Sequence, residues 1–516
     1  MYMLSGLKQE DFNDIMNDKQ AIIDLGSNTT RMLIIEVTDR GAYHLVEEDK
    51  GVVRLSEDMM PDGTIKEPAL KRTVRAMKLF RGMCSYHNVS RVTAVATAAV
   101  REAINQEEFL SRLKEETGIS FRVLSREEEP YFGYLGVVNT MDIRNGLVMD
   151  LGGGSMEITA VRDRKLARST SIPYGALTLT EKFLDPDKPS DSELKDLEAF
   201  VRGRLSEIPW LSSYAESQLI GIGGTVRTIA RIDQRMSGYP FDELHNYYMS
   251  PSDVSIIYSK IRGMDMEERK KIPGLSRDRA DIIVAGTAAV NTLARYLKVP
   301  YIRVSSSGLR DGLFFNEFLK PQVVDNITDF GLRNIVNLYE ADLQHAESVD
   351  RLARSLFAGM KKEFGFDERD GRVLHAAAML HELGYYYDFG KRFNNTFYNV
   401  VDNAIFGLTH MDNYRTALVA GRFGSGGIKV RSTFLNVRLD KEDVRNIKKL
   451  SVILGLADAF DRSRRRLVTA LDCRIMKDAV VIKPSYSGDI SVELTTAAEI
   501  NGFFKKAFDM DLAINA

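Results

Sequence analysis

The chain has 516 residues, enough for three or four domains of ordinary size, each with a core of its own. Its 70 basic and 72 acidic side chains leave a formal charge of -2, which argues against a protein that coats nucleic acid, and its 44% hydrophobic content is that of an ordinary globular protein. Residues 1–19 are polar and acidic, unlike a secretory signal, and no stretch approaches the ~20 uninterrupted apolar residues that span a bilayer. A cytoplasmic protein is therefore expected, with neither nucleic acid nor membrane as partner. Cys84 and Cys473 show no metal or redox spacing and are expected to be buried small hydrophobes.

Along the chain, strands are predicted at 20–25, 31–37, 43–46 and 91–96, with helices at 68–87 and 106–116, the alternation of an α/β layer. The same grammar returns from 127 to about 304, with a helix over 128–139 and strands at 147–151, 157–162, 168–172, 218–222 and 301–304. Gly308 to Phe314 opens a further helix that could return to the first lobe. Beyond about residue 325 strand signals vanish and amphipathic helices follow, including 343–364, 372–383 and 444–460. The tail alternates again, with strands predicted at 471–476, 479–483 and 490–494 and a helix at 497–508.

One phrase occurs twice. Ala21-Ile22-Ile23-Asp24-Leu25-Gly26-Ser27-Asn28-Thr29 and Leu147-Val148-Met149-Asp150-Leu151-Gly152-Gly153-Gly154-Ser155 each run from an apolar strand through an Asp into a glycine and hydroxyl turn, and then into a second apolar strand. Such a turn presents backbone N–H groups and hydroxyls to one point, which suits a phosphate, and the Asp at its lip suits a hydrated divalent cation. Three consecutive glycines where two would make a turn suggest close approach of phosphate oxygens. Glu157, seven residues beyond Asp150 and across the hairpin, could order metal-bound water. Two such turns 126 residues apart imply two related halves facing one another over an oligophosphate.

Other segments join them. Gly221-Ile222-Gly223-Gly224-Thr225 ends a strand and begins a helix, whose free N–H groups make an anion site. Arg101 falls in the first turn of a helix starting near Ala98, where a cation is unfavourable unless it meets an anion or an ion pair. Glu127, Glu128 and Glu129 begin a helix at the crossing between lobes. Dipole compensation explains them, and so does a carboxylate of raised pKa acting as general base. His345, His381-Glu382 and Asp458 follow the order of the metal-binding phosphohydrolase domains named for His-Asp pairs. The ligand expected after His381 would fall near Asn394-Asn395, and His410 has no companion motif, so solvated or core histidines are expected rather than a di-metal site.

Together these residues resemble the exopolyphosphatase and guanosine pentaphosphate phosphohydrolase (Ppx/GppA) family of the actin-like superfamily. The likeness also rests on Ala96 to Asn105, Pro173 to Glu181 and Gly308-Leu309-Arg310-Asp311-Gly312. It implies two actin-like (ribonuclease H-like) α/β lobes, an all-α His-Asp-like domain and a small C-terminal α/β lobe, at 1–127 (with 308–325 returning to it), 128–307, 326–468 and 469–516. It implies an exopolyphosphatase that releases orthophosphate from inorganic polyphosphate, with guanosine pentaphosphate as the alternative substrate. Glu128 or Glu129 would be the base, Glu128 slightly preferred. Asp24, Asp150 and Glu157 would hold Mg2+. Ser27, Asn28, Thr29, Arg101, Gly152, Gly153, Gly154, Ser155, Gly223, Gly224 and Thr225 would cradle phosphates. Thr29 where Ser is usual, and Pro130 where Ala normally follows the glutamates, are departures that the site should survive. A homodimer is expected on likeness alone. The basic run Arg462, Arg464, Arg465 and Arg466 would line a substrate path or form a solvated helix end. A non-hydrolytic polyphosphate or alarmone sensor and a sugar-kinase-like transferase are the competing readings.

Overall fold

The computed structural model describes residues 18–55, 59–60, 62–385, 389–422, 433–434 and 437–516. Contacts divide the chain into two units, Met1–Asp39 with Tyr43–Ile327, and Arg40–Ala42 with Thr328–Ala516. Among the described residues no helix is long and apolar enough to cross a membrane.

The first unit holds two mixed sheets built to one plan. In the first, β1 (Asp18–Leu25), β2 (Thr29–Val37) and β3 (Tyr43–Val52) form an antiparallel meander, and β4 (Arg91–Ala96) and β5 (Phe121–Val123) extend it in parallel, in the order β3-β2-β1-β4-β5. In the second, β6 (Gly146–Leu151), β7 (Met156–Arg162) and β8 (Lys165–Ile172) form the meander. The parallel strands are β9 (Leu219–Ile222) and β11 (Ile302–Val304), with β10 (Tyr248–Met249) at the edge. The likeness reaches single residues. The ladder β2/β3 slips between Ile34 and Ile35 and β7/β8 between Ala160 and Val161, again a step of 126 residues.

One face of the first sheet packs on helices α1 (Glu67–Tyr86) and α3 (Gln106–Thr117), with the single turn α2 (Ala98–Arg101) between them in the chain. Ile23, Leu25, Met32, Ile34, Phe80 and Phe109 make that core, an alternation that one buried sheet face requires. Helix α4 (Glu128–Val138) leads into the second sheet. That sheet packs with α5 (Ala176–Phe183), α6 (Asp191–Ser206), α7 (Gly223–Ser237), α8 (Pro251–Ile261), the short α9 (Met266–Arg269) and α10 (Ile283–Leu297), which is buried along most of its length. Helix α11 (Leu309–Phe318) then packs on α4 and β1, and its Phe314, Phe315 and Phe318 surround Tyr43 of β3. The α4–α11 crossing depends on glycine. A Cβ at Gly312 would fall on the Phe132 carbonyl, and one at Gly136 on the Gly308 carbonyl.

The second unit is helical through α12 (Ile327–Leu338), α13 (Leu343–Phe364), α14 (Glu368–Leu380), α15 (Arg392–Asp402), α16 (His410–Ala420) and α17 (Lys441–Ala459). A short ribbon, β12 (Thr433–Phe434) with β13 (Val437–Arg438), precedes α17. The tail pairs β14 (Val468–Ile475), β15 (Ala479–Tyr486) and β16 (Asp511–Ile514). The strand expected over 490–494 is instead the start of α18 (Ser491–Glu499), followed by α19 (Asn501–Phe508). Ile490, Val492 and Leu494 alternate as a strand would, yet the buried positions are Ile490, Glu493, Ala497 and Ile500, a helical spacing. Thr495 and Thr496 return their hydroxyls to the Ser491 and Val492 carbonyls, the i−4 bond open to a hydroxyl residue within a helix. The terminal strand β16 was not expected at all. Cys84 is buried as expected, whereas Cys473 is half-buried against Gly359.

Gly312→Ala should destabilise the protein by on the order of 2 kcal/mol or more, because two helix backbones must separate. Gly203→Ala, at an exposed site of α6 with nothing within 4 Å of the new Cβ, should be neutral or stabilising by up to ~1 kcal/mol. Chemical denaturation of the two variants checks the contrast.

Candidate active site

The two duplicated turns meet in one cleft of the first unit. Each is closed by the same bond, Gly26 N–H to the Thr29 carbonyl at 3.2 Å and Gly152 N–H to the Ser155 carbonyl at 3.0 Å. They also touch one another. A Cβ on Gly153 would lie 2.9 Å from the Asn28 Cβ, and one on Gly154 would strike the Ser27 hydroxyl. These two glycines therefore answer to the opposite turn as well as lining the cleft.

The cleft is lined by Asp24, Gly26 to Thr29, Glu129, Asp150, Gly152 to Ser155, Glu157, Gly223 and Gly224, so most of the residues singled out in the sequence converge. Strand register explains the carboxylates. Asp150 lies directly opposite Glu157 across β6/β7, which puts both side chains on one face, and Asp24 lies directly opposite Arg31 across β1/β2. Helices α7 and α11 both begin at the cleft and aim free N–H groups at it.

Three expected residues lie elsewhere. Glu128, the preferred base, is part-exposed outside the cleft, where it pairs with Arg122 and accepts the Ser125 N–H at 2.9 Å. That hydrogen bond and Arg122 hold its carboxyl below the usual range. Glu129 is the member of the pair that faces the cleft, since neighbouring residues on a helix project about 100° apart. Arg101 does not reach the cleft. It binds the Glu129 carboxylate at 2.8 Å and the Leu124 carbonyl at 3.0 Å. Thr225 is buried against Gly286 of α10.

Sequence reasoning missed the cations. Arg31, Arg227, Arg279 and Arg310 all line the cleft. Arg31 and Arg310 share Glu48, at 3.3 and 3.0 Å, and Arg227 donates to the Ser306 carbonyl at 3.0 Å. Burial, reinforced by the neighbouring guanidiniums, lowers Arg227 to about 9 and Arg279 to about 10, as expected where like charges are gathered for an anion. A signal existed for three of them, because Arg31, Arg227 and Arg310 each stand two to four residues beyond a glycine turn. Arg279 has no motif. On either side of Arg279 in the chain, Asp278 pairs with Lys50 at 3.1 Å and Asp281 with Arg54 at 2.8 Å.

Electrostatically the cleft is strained. Burial pushes the Asp24 carboxyl up to about 7, with Arg310 pulling against it and Glu129 and Asp150 adding to it. Burial and Glu129 together push Asp150 up to about 6, and burial, Glu129 and Asp150 raise Glu157 well above the usual range. Glu129 is likewise raised by burial, with Arg101 opposing. Asp24 Oδ1 is buried with no hydrogen-bond partner. An unsatisfied acceptor among oxygen donors fits a hard divalent cation. Asp24, Asp150 and Glu157 line the same cleft and are the residues that would hold such a cation.

In the second unit His345 and His381 are buried, as core histidines would be, and they come together with Glu382 and Asp458. Arg464 is no free helix end, since it binds Glu382 at 2.5 Å.

Residues 33–321 match the model of the Ppx/GppA phosphatase family, and residues 327–488 match that of Ppx/GppA phosphatase, domain III. The chain belongs to the Ppx/GppA phosphatase family. Exopolyphosphatase 2 of Mycobacterium tuberculosis (strain CDC 1551 / Oshkosh) is 28% identical over 308 residues, 57% of this chain and 96% of the relative. An exopolyphosphatase crystal structure from Cytophaga hutchinsonii is 25% identical with a TM-score of 0.54, covering 58% of this chain and 98% of its own. A Ppx/GppA member from Aquifex aeolicus is 29% identical with a TM-score of 0.50, covering 59% and 98%. The two actin-like lobes and the helical region are the fold that this family membership carries.

A carboxyl whose folded pKa is near 7 and whose unfolded value is near 3.8 holds its proton more tightly when folded. It therefore costs stability above that window, and the cost fades as the pH falls through it. Asp24→Asn should raise the melting temperature of the cation-free protein at about pH 8 and lose that advantage by about pH 4. Thermal scans at both pH values check this, and an equal gain at the two would exclude ionisation as the cause.

Proposed function

We propose that this Ppx/GppA phosphatase cleaves the terminal phosphoanhydride bond of inorganic polyphosphate, with Glu129 as the general base. The observation that carries the reading is the placement of Glu129 in the cleft, 12% exposed and oriented by Arg101, beside two glycine-edged turns and four arginines. The relatives whose names record exopolyphosphatases support the choice of substrate.

Arg31, Arg227, Arg279 and Arg310, with the N-termini of α7 and α11, bind the phosphate oxygens and hold the terminal group in line with a water. Mg2+ held by Asp24, Asp150 and Glu157 would supply further charge neutralisation at those oxygens. Glu129 takes the proton of the attacking water as its oxygen bonds to phosphorus. The bridging P–O bond breaks, and the shortened chain leaves with the bonding electrons on its new terminal oxygen. Arg101 touches only the far side of this machinery and keeps Glu129 ionised and aimed.

Glu129→Gln should lower kcat for orthophosphate release by ~10² or more with little change in KM, and Glu128→Gln should cost far less. Equal, full rates in both would remove the assignment. Because Glu129 must be anionic to act, activity falls on acidification through a pH range above the usual carboxylate value. Arg101→Gln, which removes the opposing cation, should move that limb to higher pH, as read from a pH–rate profile. Assays on polyphosphate and guanosine pentaphosphate, with and without Mg2+, rank the substrates. A protein that binds polyphosphate tightly and releases no orthophosphate would instead be a sensor.

A further inference from the structure

We propose that the second unit carries a site for one first-row transition-metal dication, held by His345, His381 and Asp458 with Glu382 as the fourth donor. This site is separate from the cleft, and the inference does not rest on the proposed reaction. The four residues come from three helix ends. His345 lies in the first turn of α13, which Asp342 caps, His381 and Glu382 follow α14 directly, and Asp458 closes α17.

The geometry is that of ligands facing a common point. Asp458 Oδ1 lies 3.3 Å from His345 Nε2 and 3.5 Å from His381 Nε2, and Glu382 Oε1 lies 3.9 Å from His345 Nε2. Donors about 2.1 Å from one ion are separated from each other by comparable distances. Each imidazole is also oriented from behind. His345 Nδ1 is 2.9 Å from Asp461 Oδ2, and His381 Nδ1 is 2.7 Å from the Ala378 carbonyl. With Nδ1 donating to these acceptors, as in a metal-bound imidazole, both Nε2 atoms face Asp458 Oδ1 from ligand distance of a common point. A carboxylate or backbone carbonyl behind a metal-bound histidine is the usual outer support of such sites. Glu382, Asp458 and Asp461 gather three carboxylates around the two imidazoles, with Arg464 bound to Glu382, a setting that favours a cation. Two nitrogen and two oxygen donors favour Zn2+ or Fe2+ over Mg2+, which prefers oxygen alone. The histidines are buried, with 3% and 0% side-chain exposure, while Asp458 at 15% and Glu382 at 11% leave a way in.

The test uses the full chain, stripped with a chelator, exposed to Zn2+ or to Co2+ as an absorbing probe, dialysed and analysed for metal. The expected result is about one equivalent retained by the wild type. It should also be retained by the Asp24→Asn, Asp150→Asn double variant, whose changes lie in the cleft. Retention should be lost in the His345→Gln, His381→Gln double variant. Asp461→Asn, which changes the acceptor behind His345 Nδ1 and keeps an oxygen for the Arg466 N–H, should weaken binding by ~10-fold or more. Co2+ absorption should report nitrogen ligation in the wild type and lose it in the double-histidine variant. Far-UV circular dichroism separates lost ligands from lost fold, and the Asp461→Asn titration stands if the histidine variants unfold. A folded wild type that retains no more Zn2+ than the folded double-histidine variant, or that loses its metal when Asp24 and Asp150 are changed, would overturn the proposal.

Discussion

Everything in the first unit is organised around the cost of placing Asp24, Glu129, Asp150 and Glu157 together out of water. Lifting Asp24 from 3.8 to about 7 corresponds to on the order of 4 kcal/mol of unfavourable environment for its charged form. A whole domain is stable by only ~5–15 kcal/mol, so the surrounding structure must hold these groups where they would not settle unaided. It does so with elements that have little freedom. Two hairpins of set register carry the aspartates, and a helix pinned by backbone-to-backbone contact at Gly136 and Gly312 carries Glu129. Arginines from both lobes stand by as counter-charges.

Much of this was open to a reader of the residues alone, because the physical cause is local. An apolar β-branched run that ends in Asp-Leu-Gly can do little but form a strand and a turn, and its recurrence 126 residues later implied two sheets of one design. The sheets share their order and even the position of a bulge. What stayed hidden depended on projection or on distant packing. Glu128 and Glu129 differ by one helical step, and only the docking of α4 decides which one turns inward. Gly153 and Gly154 read as room for a ligand, and nothing local shows that they also make room for Asn28 and Ser27, residues more than 120 positions away. Arg279 comes from a turn with no repeating pattern.

The second unit shows the same limit from the other side. His345, His381 and Asp458 looked incomplete because no further ligand follows at Asn394-Asn395 or His410, and spacing does not encode that their three helix ends converge. In the tail, Ile490, Val492 and Leu494 kept strand periodicity for five residues. The buried Glu493, accepting the Ser463 N–H, anchors that segment on the helical period. Short windows of alternation are ambiguous for that reason, and tertiary anchoring decides between the periods.

The duplicated hairpins differ in one consequential place. Seven residues past the aspartate, directly across the ladder, one copy carries Arg31 and the other Glu157. Two identical halves would create a groove with no sense of head and tail, in which an elongated guest sits equally well either way round. The exchange of a cation for an anion at matching stations gives this groove a polarity, so that one end differs from the other before any guest arrives.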